Sequence, residues 1–154
     1  MFKNKYVSFT LIVLITFSAS AIGGVVTSVY KEPWYSQIIQ PSFSPPSWVF
    51  GPVWTTLYIF MSIAIWLNWI KIKDTKNLKI YFIHIFFNSI WSIIFFGFHQ
   101  IFLALLNLLI ILFFILWLMK IYYKTTILSF LLMTPYLLWS SYALLLNASI
   151  FYLN

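Results

Sequence analysis

Residues 33–58 read Pro-Trp-Tyr-Ser-Gln-Ile-Ile-Gln-Pro-Ser-Phe-Ser-Pro-Pro-Ser-Trp-Val-Phe-Gly-Pro-Val-Trp-Thr-Thr-Leu-Tyr. The first half is too polar and too often broken by proline to cross a bilayer, because each proline removes a backbone donor and fixes φ. The second half opens an apolar segment that belongs in hydrocarbon. The junction therefore marks a membrane surface, with a stiff aromatic loop above a spanning helix.

The whole chain agrees on the solvent. Of 154 residues, 63% are hydrophobic, 23% aromatic and 7% charged, more apolar surface than a soluble domain of this length can hide. Cysteine is absent, which excludes disulfides and thiolate metal sites. The net charge of +7 comes from lysines placed between apolar runs, so it reads as a topology signal and not as a nucleic-acid surface.

Five continuous apolar runs are long enough to span, at 6–29, 48–70, 80–96, 101–119 and 126–153. Continuous runs favour helices over a barrel, so the fold class is an all-α integral membrane protein, a five-transmembrane-helix bundle in one domain over 1–154. The third and fourth runs are short for a span. The link 97–100 makes the helices it joins antiparallel neighbours. Lys3, Lys5, Lys71, Lys73, Lys76, Lys79, Lys120 and Lys124 fall on one side and Lys31 alone on the other. That bias places the N-terminus in the cytoplasm and the C-terminus outside. The expected location is a cytoplasmic membrane of prokaryotic type. The loop 30–47 then lies on the outer face. The competing reading of the first run, a cleavable signal peptide, leaves no soluble mature domain behind it. Small residues recur there every four positions, Ala19, Gly23 and Thr27 beside Ser20, Gly24 and Ser28. They suit close packing within the bundle or across a homodimer.

Tryptophan in membrane proteins usually anchors at the headgroups, and Trp34, Trp48, Trp66, Trp69 and Trp117 need no other explanation, with Tyr122 and Tyr123 beside the last. Three others do. At ~1.5 Å rise per residue, Trp54, Trp91 and Trp139 converge ~10–13 Å beneath the outer face of a ~30 Å core. They come from three helices, and buried indole N–H groups need acceptors. Thr55, Tyr58, Asn88, Ser92, Ser140 and Ser141 are within reach by the same count. An aromatic, partly polar pocket beneath the loop is the expected ligand site, against plain core packing. The loop prolines make it a lid, Ser47 is placed to cap the second span, and Pro135 to kink the fifth and open room beside Trp139.

Chemistry is sparse. Asp74 and Glu32 both lie in loops, which leaves no carboxylate pair and no nucleophile–base motif. No span carries the acidic residue usual in ion-coupled transport. His84 and His99 lack carboxylate partners, so no metal site is expected, and hydrogen bonding outweighs axial haem ligation as their role. No acid–base group is expected near the three tryptophans.

At these residues the chain resembles the translocator protein family, also called TspO or tryptophan-rich sensory proteins. The resemblance rests on Trp34-Tyr35, Pro41 and the run from Pro45 to Thr55, with Leu57-Tyr58 and Met61. Asn88, Trp91-Ser92 and Phe95-Phe96-Gly97 form a second block; Pro135-Tyr136-Leu137, Trp139 and Leu146-Asn147 form a third. It implies a five-helix bundle, often dimeric, with a loop-closed pocket for porphyrins, haem-related tetrapyrroles and drug-like aromatic ligands. The tryptophans matching Trp54 and Trp139 line that pocket and are implicated in porphyrin breakdown. The expected ligand-binding set is Trp34, Tyr35, Trp48, Phe50, Trp54, Tyr58, Asn88, Trp91, Phe95, Trp139, Ser141 and Asn147. Trp54 and Trp139 are the candidate catalytic residues. Gln40, His84, His99 and Asn107 depart from the family's usual lysine, glutamine, basic and acidic residues. The basic residue of the vertebrate cholesterol motif is missing after the fifth span. Leu118, Tyr122 and Lys124 fit the looser cholesterol pattern, and sterol transport is not expected. The leading expectation is a receptor that senses, sequesters or moves porphyrins, with protoporphyrin IX or haem as ligand and no required cofactor. The alternative is a light- and oxygen-dependent porphyrin-degrading enzyme. A small transporter is the third reading.

Overall fold

The structure is a computed structural model and describes residues 4–154. Lys3, counted above toward the topology, lies outside the described residues. The helices are α1 (Lys5–Tyr30), α2 (Trp34–Gln37), α3 (Ser47–Ile72), α4 (Thr75–Ser92), α5 (Ile101–Thr125) and α6 (Ile127–Leu153), with a π-helical turn, Ile93–Gly97, closing α4. Five are long and apolar enough to cross a membrane, α4 together with its π turn.

The helices form a closed ring in the order α1, α3, α6, α5, α4, back to α1. The expected antiparallel pair, α4 and α5, is adjacent in it. Two sets of polar contacts define the ends. At one end Trp66 Nε1 donates to the Lys5 carbonyl at 3.1 Å, and Asn68 Nδ2 donates to Thr125 Oγ1 at 2.7 Å. At the other, the loop end, Asn147 Nδ2 donates to the Ile101 carbonyl at 3.0 Å.

Local chemistry sets the helix limits. The Asn4 side chain accepts from the backbone N–H groups of Tyr6 and Val7, and Asp74 accepts from Lys76, each satisfying donors a helix start leaves free. Lys73 ends α3 in the left-handed region, at φ 53°. Asp74 also explains why the third span is longer than the apolar run 80–96. Capped there, its helix starts five residues earlier, on polar sequence outside the hydrocarbon.

One expectation of local structure is corrected. Ser47 is the first residue of α3 and not its cap; its Oγ accepts from Lys31 Nζ at 3.1 Å. Within the loop, α2 forms one turn. The α6 helix continues through Pro135, which lines a shallow outer groove with Pro52, Leu138 and Trp139.

Outward faces are apolar, with Leu14, Val25, Phe86, Phe113, Leu131 and Leu138 exposed. The interior holds the polar residues: Asn68, Asn77, His84, Asn88, Asn107, Ser129 and Asn147 are buried. Asn107 Nδ2 donates to the Phe87 carbonyl at 2.9 Å and Ser129 Oγ to the Ala64 carbonyl at 2.7 Å. Such interhelical bonds average roughly 0.6 kcal/mol in a membrane protein, where lipid gives apolar side chains no reason to cluster. Tyr122, expected at the surface, is fully buried among them.

Candidate functional site

A cavity of about 470 Å³ opens inside the ring at the loop end. Its size is that of a small-molecule site. Trp54, Trp91 and Trp139 all line it, as the helical-rise argument requires. Of the other expected ligand residues, Tyr35, Phe50, Tyr58, Asn88, Phe95 and Asn147 line it too.

Trp34, Trp48 and Ser141 do not. The Trp34 ring packs edge-on behind Phe95, at 5.3 Å between centroids. Trp48 is 75% exposed at the start of α3, an anchor position. Ser141 Oγ donates to its own helix, to the Leu137 carbonyl at 2.8 Å, which leaves its neighbour Ser140 on the lining.

The aromatic wall has an order. Trp91 stacks on Phe95 at 5.0 Å and 13°, and Phe50 meets Trp139 edge-on at 5.9 Å. Phe95 and Phe96 reach the lining from the π turn, whose extra residue per turn rotates both inward. Trp54 leans on Tyr58 at 5.7 Å and meets Tyr136 edge-on at 6.2 Å. Two of the lining residues carry a buried polar atom without a partner, Trp91 Nε1 and Asn147 Oδ1. An orphaned buried polar atom costs ~1–3 kcal/mol.

Sequence reasoning missed the α1 wall. Ser20, Gly23, Gly24, Thr27 and Ser28, assigned above to helix packing, line the cavity. The two glycines there differ. A Cβ on Gly23 would meet Ser92 Oγ at 3.2 Å, whereas one on Gly24 would meet nothing within 4 Å. Gly23 lies at the cavity wall where α1 packs on Ser92, and Gly24 fronts open space. No spacing rule separates them, because the stripe is one helical face wide.

The loop crosses the mouth and is tied on several sides. Asn154 accepts from the Ile39 N–H at 2.9 Å and donates to the Ile39 carbonyl at 3.0 Å, and Tyr142 Oη donates to the Phe43 carbonyl at 2.7 Å. Tyr35 packs on Phe96 at 5.6 Å, and burial, then Tyr142, then Glu32 raise its phenol pKa above the ordinary value. Lys31 lines the mouth between Ser47 and Glu32, the latter at 3.6 Å.

Beneath the cavity runs a hydrogen-bonded chain. Tyr58 Oη donates to Asn88 Oδ1, Asn88 Nδ2 donates to Tyr136 Oη at 2.9 Å, and Tyr136 Oη lies 2.7 Å from His84 Nε2. His84 is fully buried. The expectation that no acid–base group lies near the tryptophans is therefore corrected: Tyr136, which touches Trp54, hands on to an imidazole. Reading along α4 alone missed the partner of His84 on α6. Neither histidine lines the cavity, since His84 faces Tyr136 and the His99 ring stacks on Trp34.

Comparison with known proteins agrees with this architecture. The model of the TspO/MBR family matches residues 10–153. The chain belongs to the TspO/MBR family. It is 33% identical to the tryptophan-rich protein TspO of Archaeoglobus fulgidus over 135 residues, 86% of this chain and 87% of that one. It is 31% identical to protein CrtK of Rhodobacter capsulatus over 90% of this chain and 89% of that one. To the human translocator protein it is 34% identical, over 74% of this chain and 70% of that one. As a TspO/MBR protein with five apolar helices, it is an integral membrane protein whose outward surface meets the lipid bilayer.

Proposed function

We propose that this protein binds porphyrins and related tetrapyrroles within the membrane, in order to sense, sequester or move them. The observation that carries the reading is the cavity walled by Trp54, Trp91 and Trp139 beneath a tied loop. A tetrapyrrole is a flat apolar disc with a polar edge. Indoles and Phe95 suit the disc, and Lys31 at the mouth suits a propionate. The outer loop acts as the lid, and its prolines lower the ordering cost of closure. A tryptophan-quenching titration with protoporphyrin IX and with haem tests the proposal. Saturable quenching by protoporphyrin IX supports it; the absence of saturation in folded protein refutes it.

A second reading is light- and oxygen-dependent breakdown of the bound porphyrin. The ring contacts of Trp54 with Tyr58 and Tyr136 favour it, because an oxidised indole would have an electron donor at hand. An isolated open-chain product would establish it.

A further inference from the structure

The chain beneath the cavity runs from Tyr58 through Asn88 and Tyr136 to His84. Asn88 Oδ1 accepts from Tyr58 and its Nδ2 donates to Tyr136. Tyr136 Oη then accepts from Asn88 and keeps its own proton to place. His84 Nε2, at 2.7 Å, receives that proton when the imidazole carries its own hydrogen on Nδ1. In that tautomer each O–H of the chain points toward His84.

We propose that Tyr136 and His84 form a redox couple that takes an oxidising equivalent from Trp54. The inference rests on the reading that a tetrapyrrole occupies the cavity. In light, Trp54 loses one electron to the photoexcited tetrapyrrole and becomes an indole radical cation. Tyr136, in ring contact with Trp54, supplies one electron and restores the neutral indole. A phenol that loses an electron releases its proton, and here the proton crosses the existing hydrogen bond to His84 Nε2. The products are intact Trp54, a neutral Tyr136 phenoxyl and a His84 imidazolium; the electron resides on the tetrapyrrole. The couple spares a pocket indole from oxygen addition. Neither Tyr136 nor His84 lines the cavity, so the site is separate from ligand contact.

The test is electron paramagnetic resonance on full-length protein irradiated with bound protoporphyrin IX. A tyrosyl signal is expected, and replacing Tyr136 by 3,5-difluorotyrosine, which preserves ring and hydroxyl, should add fluorine splitting to it. His84→Gln should bind protoporphyrin IX within twofold of wild type, give at least fivefold less tyrosyl radical, and accumulate N-formylkynurenine at Trp54. A signal without fluorine splitting, or an unchanged yield in His84→Gln, overturns the couple. A parallel arm uses a ruthenium tris-bipyridine photo-oxidant with persulfate, which needs no tetrapyrrole. Failure of protoporphyrin IX to bind would sink the ligand reading alone, while fluorine splitting in this arm would still establish the couple and its absence would end it.

Discussion

The Trp34 indole lies flat on the His99 imidazole, with centroids 4.4 Å apart and planes inclined by 16°. One ring comes from the loop and the other from the α4–α5 link. His99 holds φ at 56°, a conformation that costs a non-glycine residue ~1–2 kcal/mol. Strain and stacking can be separated. His99→Ala keeps the strained backbone and loses the stack; His99→Gly loses both. Each should speed protoporphyrin IX dissociation roughly fivefold, for a contact of ~1 kcal/mol. Only the glycine variant should regain thermal stability relative to alanine. Stopped-flow fluorescence and thermal melts in detergent read the two effects. Equal dissociation from wild type and both variants would mean that the stack does not hold the lid.

The paired glycines of α1 give a sharper contrast. Gly23→Ala brings a Cβ to 3.2 Å from Ser92 Oγ and should loosen α1 from α4, lowering the melting temperature. Gly24→Ala adds a methyl to open space and gains up to ~1 kcal/mol of helix propensity. Gly24→Phe should fold and yet block the cavity. Retained porphyrin affinity in a folded Gly24→Phe protein would place the ligand elsewhere.

The five spans, the α4–α5 pairing and the tryptophan level were legible because each follows from one-dimensional quantities: hydropathy, link length and helical rise. The Asp74 cap was legible in principle, and its omission shortened the third span by five residues. What stayed hidden depends on rotation about a helix axis and on partners distant in sequence. Ser140 lines the cavity and Ser141 does not, a difference of one residue. The His84–Tyr136 bond joins residues 52 apart, and nothing in either segment announces it.

The lid should also respond to pH. Burial, Tyr142 and Glu32 raise the Tyr35 phenol above its ordinary 10.0. The docked state therefore favours the protonated phenol, and an undocked Tyr35 ionises first as pH rises. Docking is intact below about pH 10 and is lost as pH climbs through the raised value. The native chain has no cysteine, so Gln40→Cys accepts a single spin label. Label mobility should increase above about pH 10, and Tyr35→Phe should remove most of that transition. An identical transition in Tyr35→Phe would assign it to another group.

Lysine distribution predicts the orientation. With Lys31 alone at the loop end, the positive-inside rule puts the loop and Asn154 on the non-cytoplasmic face. A C-terminal alkaline phosphatase fusion should be active and a C-terminal green fluorescent protein fusion dark. The reverse pattern would invert the topology.

Trp54→Phe and Trp139→Phe separate binding from chemistry. Phenylalanine keeps an apolar ring but loses the indole N–H and its easier oxidation. A protein that only binds should lose ~1 kcal/mol of affinity per variant, within the range of aromatic contacts. Its bound porphyrin should then show no light-dependent bleaching. A protein that degrades its ligand should bleach the Soret band in light and oxygen, and both variants should bind but bleach far more slowly. The geometry makes the two positions unequal. Trp54 touches Tyr136, the phenol bonded to His84, whereas Trp139 touches Phe50 and Tyr142. If Tyr136 drains oxidising equivalents from Trp54, Tyr136→Phe should leave Trp54 oxidised more often and Trp139 unchanged. Peptide mass spectrometry after irradiation reads both residues in one sample. Equal oxidation of Trp54 with and without the Tyr136 hydroxyl would show that the contact carries no charge.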